Sequence, residues 1–298
     1  MATKYEQVPL KDGGKYKWPV ADIQLTVNQV LTDNNAILRP GIRDRLSFDP
    51  SQQLEIAKCT IDPIYFIENY ARIISLDHGL VPFKMRDYQR DMIRLYVSNR
   101  YSVVCTARQA GKTTTVAAFL LWTVIFNPEK FWAVLANKAD QANEIMDRFR
   151  MMYEELPYFL QQGAKKFNMG EVYLENKSRV ISGSSNPDTV RGKSLAGVYW
   201  DEAAFTARDE EFWTSTFPTL SSGTKTKIIL TSTPKGARGV FYKIWKGANE
   251  VDVIKYNGFK PLVVTWDKVP GRDEEIGRAS CRERVSACVD LGGRRIIK

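Results

Sequence analysis

Gly111-Lys112-Thr113 closes the segment TARQAGKT, directly after the apolar run YSVVC. In a loop of this kind backbone N–H groups can wrap a phosphate, a lysine can reach its terminal oxygens and a hydroxyl can take Mg2+. A second segment, VYWDEAAF at residues 198–205, carries an apolar strand into Asp201-Glu202. One carboxylate there can hold the water shell of a metal while its neighbour orients an attacking water. Side by side, the two acids point to nucleotide hydrolysis rather than binding alone. The bland alternative is an acidic cap for the helix that follows.

The cradle spans Thr106, Ala107, Arg108, Gln109, Ala110, Gly111, Lys112, Thr113 and Thr114, with Thr113 and Asp201 as the metal-side oxygens. It departs from GxxxxGK[ST] in having Thr106 where the first glycine belongs, so the opening turn must form without glycine's freedom at positive φ. Arg108 puts a guanidinium inside the loop, where it can reach a γ-phosphate from within the same subunit. Otherwise it is a solvated or salt-bridged side chain.

Three further clusters invite a role beside a bland reading. The run KIILTSTP ends in Thr231, Ser232 and Thr233, hydroxyls able to sense a γ-phosphate or simply to form a turn before Pro234. Upstream, Tyr88 can stack on a purine and Gln89 can read its edge, or both can lie on a helix surface. Arg191, in NPDTVRGKSLAG, can serve a neighbouring subunit's nucleotide as an arginine finger, or be a structural or DNA-facing arginine.

The elements that must position these residues alternate. Buried-type strands YSVVC, FWAVLA, AGVYW, KIILTST and PLVVTW are separated by helical runs, which predicts parallel βαβ units. EVYLE and SRVIS, either side of Asn176-Lys177, read as a hairpin inserted before the Asp-Glu strand. Before the sheet, FDPSQQLEIAKC and DPIYFIENYARII each begin with Asp-Pro, the acid as cap and the proline at the first helical position. In MRDYQRDMIRLYVSN, Tyr88, Met92, Leu95 and Tyr96 form one stripe. This divides the chain into a polar arm (1–48), a helical lead-in (49–100) and a nucleotide-binding core (101–270).

Composition sets the bounds. The 298 residues are 44% hydrophobic and 26% charged, an ordinary globular balance, and the net charge of +9 favours a polyanionic partner. No stretch reaches the ~20 apolar residues of a membrane span, and the polar start lacks a signal-peptide pattern, so a cytosolic, membrane-free setting is expected. Four cysteines without a CxxC pair and a single histidine, His78, suggest neither a zinc site nor a disulfide framework. His78, in SLDHGLV, reads as a loop residue.

From Glu275 the chain runs EIGRASCRERVSACVDLGGRRIIK, which reads as a translated sequencing adapter, with a genuine Arg-rich extension as the alternative. Three of the nine net positive charges fall in it, as do Cys281 and Cys288.

The ordered set DYQR, TARQAGKTT, PDTVRGKSLAGVYWDEAAF and KIILTSTPKG resembles the large terminase subunit of tailed bacteriophages, nearest the T-even-like packaging enzymes. The resemblance spans residues 60–266. It implies an α/β P-loop NTPase of the RecA/ASCE type, with a mainly parallel sheet flanked by helices and a helical N-terminal subdomain. It implies ATP and Mg2+ as cofactors: Lys112 and Thr113 on triphosphate and metal, Arg108 in cis, Asp201 on the metal, Glu202 activating water. Thr231 to Thr233 would couple hydrolysis to movement, and Tyr88 and Gln89 would read adenine. The implied partners are double-stranded DNA, the portal protein, the small terminase subunit and copies of the same chain in a ring on the portal. The implied location is the host cytoplasm and the procapsid portal vertex. Relatives also carry a nuclease domain beyond the ATPase, which this chain is expected to lack. The alternatives are a helicase or restriction-type translocase, which needs a second motor lobe, and a non-catalytic nucleotide sensor, which Glu202 opposes.

Overall fold

The computed structural model describes residues 48–270 apart from residues 76 and 222, together with four strand segments nearer the N-terminus. Those segments form two antiparallel pairs, β1 (Tyr5–Pro9) with β2 (Lys15–Pro19) and β3 (Leu25–Thr26) with β4 (Arg45–Leu46). The remainder of the polar arm and the whole adapter-like segment lie outside the described residues.

Both Asp-Pro steps start helices as their chemistry demands. Asp49 accepts from the N–H groups of Ser51 (2.8 Å) and Gln52 (2.9 Å) at the head of α1 (Pro50–Ile61), and Gln52 closes a capping box. Asp62 does the same for α2 (Pro63–Tyr70) through Ile64 and Tyr65. The second helix stops short of its predicted end. Ala71 turns extended and β5 (Arg72–Ser75) folds back on β6 (Gly79–Pro82), because Ile73 and Ile74 favour a strand and Gly79 supplies a left-handed turn at φ +65. His78 sits exposed in that turn. In α3 (Asp87–Ser98) the stripe is Tyr88, Met92 and Tyr96, joined by buried Gln89 and Ile93, with Leu95 only partly covered.

The chain then alternates: β7 (Tyr101–Thr106), α4 (Lys112–Phe126), β8 (Phe131–Ala136), α5 (Ala139–Glu154), β9 (Ala164–Phe167), β10 (Glu171–Leu174), β11 (Arg179–Ser184), α6 (Pro187–Val190), β12 (Gly197–Trp200), α7 (Asp209–Ser221), β13 (Lys227–Ser232), α8 (Gly239–Ala248) and β14 (Lys260–Val264). Eight of these strands form one sheet in the order β14-β7-β13-β12-β8-β11-β10-β9. The first six run parallel, and β10 and β9 add an antiparallel edge. The predicted hairpin is therefore part of the main sheet rather than an insertion: β11 pairs with β10 on one side and with β8 on the other.

Successive side chains on a strand point to opposite faces, so a parallel sheet covered on both sides is apolar throughout. Val104, Val134, Tyr199 and Ile229 face one apolar cluster, shared with α1 to α5. Val103, Leu135, Trp200 and Leu230 face the other, shared with α7 and α8. The lead-in helices thus belong to the same core as the helix after the phosphate loop. That helix, α4, is enclosed: Val116, Phe119, Leu120 and Leu121 are all buried, each contributing about 1.5–3 kcal/mol.

One polar tie crosses from the sheet to the lead-in. Lys227, at the start of β13, donates to the carbonyls of Tyr96 (2.8 Å), Val97 (2.9 Å) and Asn99 (2.7 Å) at the end of α3. A cation suits a helix C-terminus, and burial holds this ammonium below the ordinary lysine pKa.

Candidate nucleotide site

The sheet order decides what meets what. β13 lies between β7, which leads into the phosphate loop, and β12, which ends at Asp201-Glu202. Three strand tips therefore converge at one carboxyl edge, where ligands bind in open α/β sheets. The sequence expectation brought two of them together without showing that the third sits between them.

Thr106 does not need glycine's freedom. It is the last residue of β7, still paired beside Val264, and Ala107 N–H donates to the Val264 carbonyl at 2.8 Å. The left-handed conformations fall later, at Gln109 (φ 55) and Gly111 (φ 72). Gly111 caps α4, so Lys112 is its first residue and Thr113 its second. The N–H groups at that helix start suit an anion. Arg108 and Gln109 are exposed on the loop, Ala110 is buried, and Arg148 donates to the Thr114 hydroxyl at 3.5 Å.

Lys112 joins both acids. Its Nζ lies 2.7 Å from Asp201 Oδ1 and 2.7 Å from Glu202 Oε1, with the lysine side chain 11% exposed and the aspartate 9%. Burial alone would favour the neutral amine, but the charges and hydrogen bonds of Asp201 and Glu202 outweigh it and hold the lysine pKa above its ordinary value. Neither acid is used as a helix cap: the turn after Glu202 has no side-chain cap bond.

Glu202 itself is left-handed, at φ 46 and ψ 42, a conformation that costs a non-glycine residue about 1–3 kcal/mol. The β13 tip grips its other oxygen. Oε2 accepts from Ser232 Oγ (3.2 Å), Thr233 N (3.3 Å) and Thr233 Oγ1 (3.4 Å), and Ser232 Oγ accepts from Ala204 N. Thr231 donates to Asp201 Oδ1 at 2.8 Å. The Thr-Ser-Thr run is thus more than a turn before Pro234: all three residues bond to the paired acids. Tyr199, which sequence reasoning passed over as an apolar strand residue, donates to the same Asp201 oxygen at 2.9 Å. Its signal was a phenol two residues before the aspartate, on the same strand face.

Tyr88 and Gln89 are not helix-surface residues, since each is 5% exposed. Gln89 Oε1 accepts from Arg86 N (2.9 Å), and its Nε2 faces the phosphate loop, where a Cβ added to Gly111 would lie 2.6 Å from it. Tyr88 turns into the core, with Arg86 donating to its hydroxyl at 2.9 Å. In this conformation it offers no open face for stacking. Arg191 stands apart: 71% exposed, it pairs with Asp188 at 2.9 Å and makes no bond to the Lys112 cluster among the described residues.

Gly111 is thereby constrained twice, by its backbone and by Gln89. Gly111→Ala is expected to cost about 1–3 kcal/mol, read as a lowered melting temperature with weakened nucleotide binding. An unchanged melting curve would contradict the close approach.

Thr113 and Asp201 offer hard oxygens of the kind Mg2+ takes when substrate phosphates supply the rest of its shell. Asp201 Oδ2 receives no donor among the described residues, and no cluster of three or more His, Cys, Asp or Glu that could hold a metal occurs among them. Among the described residues, no helix is long and apolar enough to cross a membrane.

The sequence profile of the family described as terminase large subunit, T4likevirus-type, N-terminal, matches residues 103–284. Among solved structures, the large terminase ATPase domain of a Thermus phage is similar at 21% identity over 69% of this chain and 94% of its own, with TM-score 0.57. The large terminase of bacteriophage HK97 shares 16% identity over 76% of this chain and 48% of its own, also at 0.57. A large terminase from a thermophilic bacteriophage, solved in complex with ADP, shares 15% over 67% of this chain and 50% of its own, at 0.50. The chain thus spans about half the length of the last two, and at these identities the likeness carries the fold, a P-loop ATPase architecture. With more than half of its residues under the family profile, the chain belongs to the T4-like phage terminase large subunits, in their N-terminal part.

Proposed function

We propose that the chain hydrolyses ATP to drive double-stranded viral DNA into a procapsid. The observation that carries this is the Lys112 ammonium lying 2.7 Å from both Asp201 and Glu202. An ammonium on the phosphate loop thus meets two acids at the tip of β12, one strand beyond β13, at the carboxyl edge of the sheet.

In this reading the N–H groups of residues 108–113 and the Lys112 ammonium bind the phosphates, and Arg108 adds charge from the same loop. Thr113 and Asp201 would hold Mg2+, which would supply positive charge to the phosphate oxygens. Glu202 takes the proton of the attacking water. When a phosphate draws Lys112 away, Glu202 Oε1 loses its partner and becomes available as that base. The Oε2 contacts from Ser232 and Thr233 keep the carboxylate in place meanwhile. Thr231, Ser232 and Thr233 thereby feel the state of both acids, and Gln89 lies close enough to the loop to read adenine. The test is Mg2+-dependent phosphate release from ATP by the chain and its loss in Glu202→Gln. Undiminished turnover in that variant would overturn the reading.

The partners follow from the same reading. DNA, the portal protein, the small terminase subunit and neighbouring copies in a ring would meet the chain in the host cytoplasm at the portal vertex. Arg191, exposed and paired with Asp188, is suited to act on a neighbour's nucleotide, because an exposed ion pair is worth ~1 kcal/mol or less and is readily exchanged. Arg191→Ala mixed with wild type is expected to depress assembled activity below the sum of its parts. Activity that simply scales with the wild-type fraction would remove the arginine from that role.

A further inference from the structure

Asp201 is held by more than the lysine. On β12, Tyr199 and Asp201 are two residues apart and share the face toward α3 and α4. The register pairs Tyr199 with Ile229 and Trp200 with Leu230, which sets Thr231 opposite Asp201. The result is a triangle of oxygens: Tyr199 donates to Asp201 Oδ1 at 2.9 Å, Thr231 donates to it at 2.8 Å, and the two hydroxyls lie 2.6 Å apart. All three side chains are buried.

Two hydroxyl protons serve three contacts, so with one hydroxyl donating to the other at 2.6 Å the remaining proton goes to Oδ1, which must accept it. Lys112 Nζ also donates to that oxygen. Oδ1 is therefore saturated by protein, whereas Oδ2 receives no donor among the described residues. The kind of donor matters. A second cation would cancel the carboxylate's charge, but a phenol and an alcohol hold it in place and leave that charge intact. When Lys112 turns to a phosphate, Oδ1 loses its cation yet keeps a hydroxyl donor from the Tyr199–Thr231 pair, so the carboxylate stays where it was. A buried carboxylate in that state has every reason to take up a divalent cation.

We infer that Tyr199 is a positioning residue which, with Thr231, holds Asp201 so that a divalent cation binds together with nucleotide. The inference rests on the nucleotide-site reading above. It concerns how tightly metal and nucleotide are coupled, apart from the rate of hydrolysis.

The experiment titrates the full chain with a fluorescent ADP analogue in Mg2+ and again in EDTA, and takes the ratio of the Kd in EDTA to the Kd in Mg2+. In Tyr199→Phe the ratio is expected to fall about tenfold, the effect of losing a partner to a metal-binding side chain, with Kd in EDTA unchanged. Thr231→Val should reproduce that fall and Thr231→Ser should restore the wild-type ratio, so the Thr231 pair decides the matter even if the tyrosine variant folds poorly. A wild-type ratio in both Tyr199→Phe and Thr231→Val would overturn the inference alone. So would equal weakening of both Kd values, since a purely structural tyrosine would act that way. A wild-type chain that binds nucleotide without any Mg2+ dependence would overturn the nucleotide-site reading as well.

Discussion

Glu202→Gln is expected to slow phosphate release by about a thousandfold, within the range for removal of a general base, while ATP still binds. That is about 4 kcal/mol of transition-state stabilisation. The substitution keeps the shape of the side chain. Its amide oxygen can still accept from Thr233 N and the Ser232 hydroxyl, which hold the carboxylate at 3.3 and 3.2 Å in the native chain. What disappears is the ability to take a proton. Single-turnover phosphate release, with nucleotide binding followed in parallel, separates the two. Loss of both together would mean that Glu202 matters for binding rather than for water.

Removing Lys112 should be felt before any nucleotide is added. Lys112→Ala leaves Asp201 buried and Glu202 half-buried with no cation between them. Breaking such a pair from one side costs about 3 kcal/mol, a fall of about 6–12 °C in melting temperature for a domain of this size. The lysine pKa is raised in the folded chain, so its stabilisation is complete below the ordinary lysine value of about 10.4 and is lost as pH rises through the higher folded value. Melting curves of wild type and variant should therefore differ by a constant amount from neutral pH up to about pH 9 and draw together as pH rises beyond the ordinary lysine value of about 10.4. A gap that stayed constant through that range would show that the ion pair contributes nothing. ATP affinity should fall as well, since the same ammonium is the one proposed to meet the phosphates.

Much of this site was legible in the residues, and the remainder was hidden for identifiable reasons. Loop and acid strand announce themselves because phosphate and metal chemistry demand particular groups in short order: Gly111-Lys112-Thr113 and Asp201-Glu202. Caps were equally plain, since Asp-Pro both sets φ and supplies an acceptor at Asp49 and Asp62. Strand order was not legible. Nothing local in KIILTST says that it lies between the other two strands, because that depends on its pairing with β7, more than a hundred residues earlier, as well as with β12. The role of Tyr199 was hidden for the same reason. A tyrosine in an apolar strand reads as core, and its hydroxyl acquires meaning only once β13 sets Thr231 beside it. ARII was read as helix because the apolar run continues past Tyr70, whereas the turn at Gly79 recruits it into a hairpin. Tyr88, expected to offer a stacking face, faces the core because Arg86 takes its hydroxyl, a contact that depends on side-chain reach rather than on residue type.

The tie from Lys227 to the end of α3 has a mechanical consequence. β13 is six residues long, about 20 Å at strand rise, and α3 has twelve residues, about 18 Å at helix rise. The two members are bolted at one end by the lysine. At the other they meet through Thr233, Glu202, Lys112 and Gly111, which abuts Gln89 near the head of α3. The outline is a closed circuit of contacts with the phosphate loop as one of its links. A phosphate that drew Lys112 off Glu202 would open this circuit of contacts at the loop, the place where the head of α3 and the tip of β13 come together.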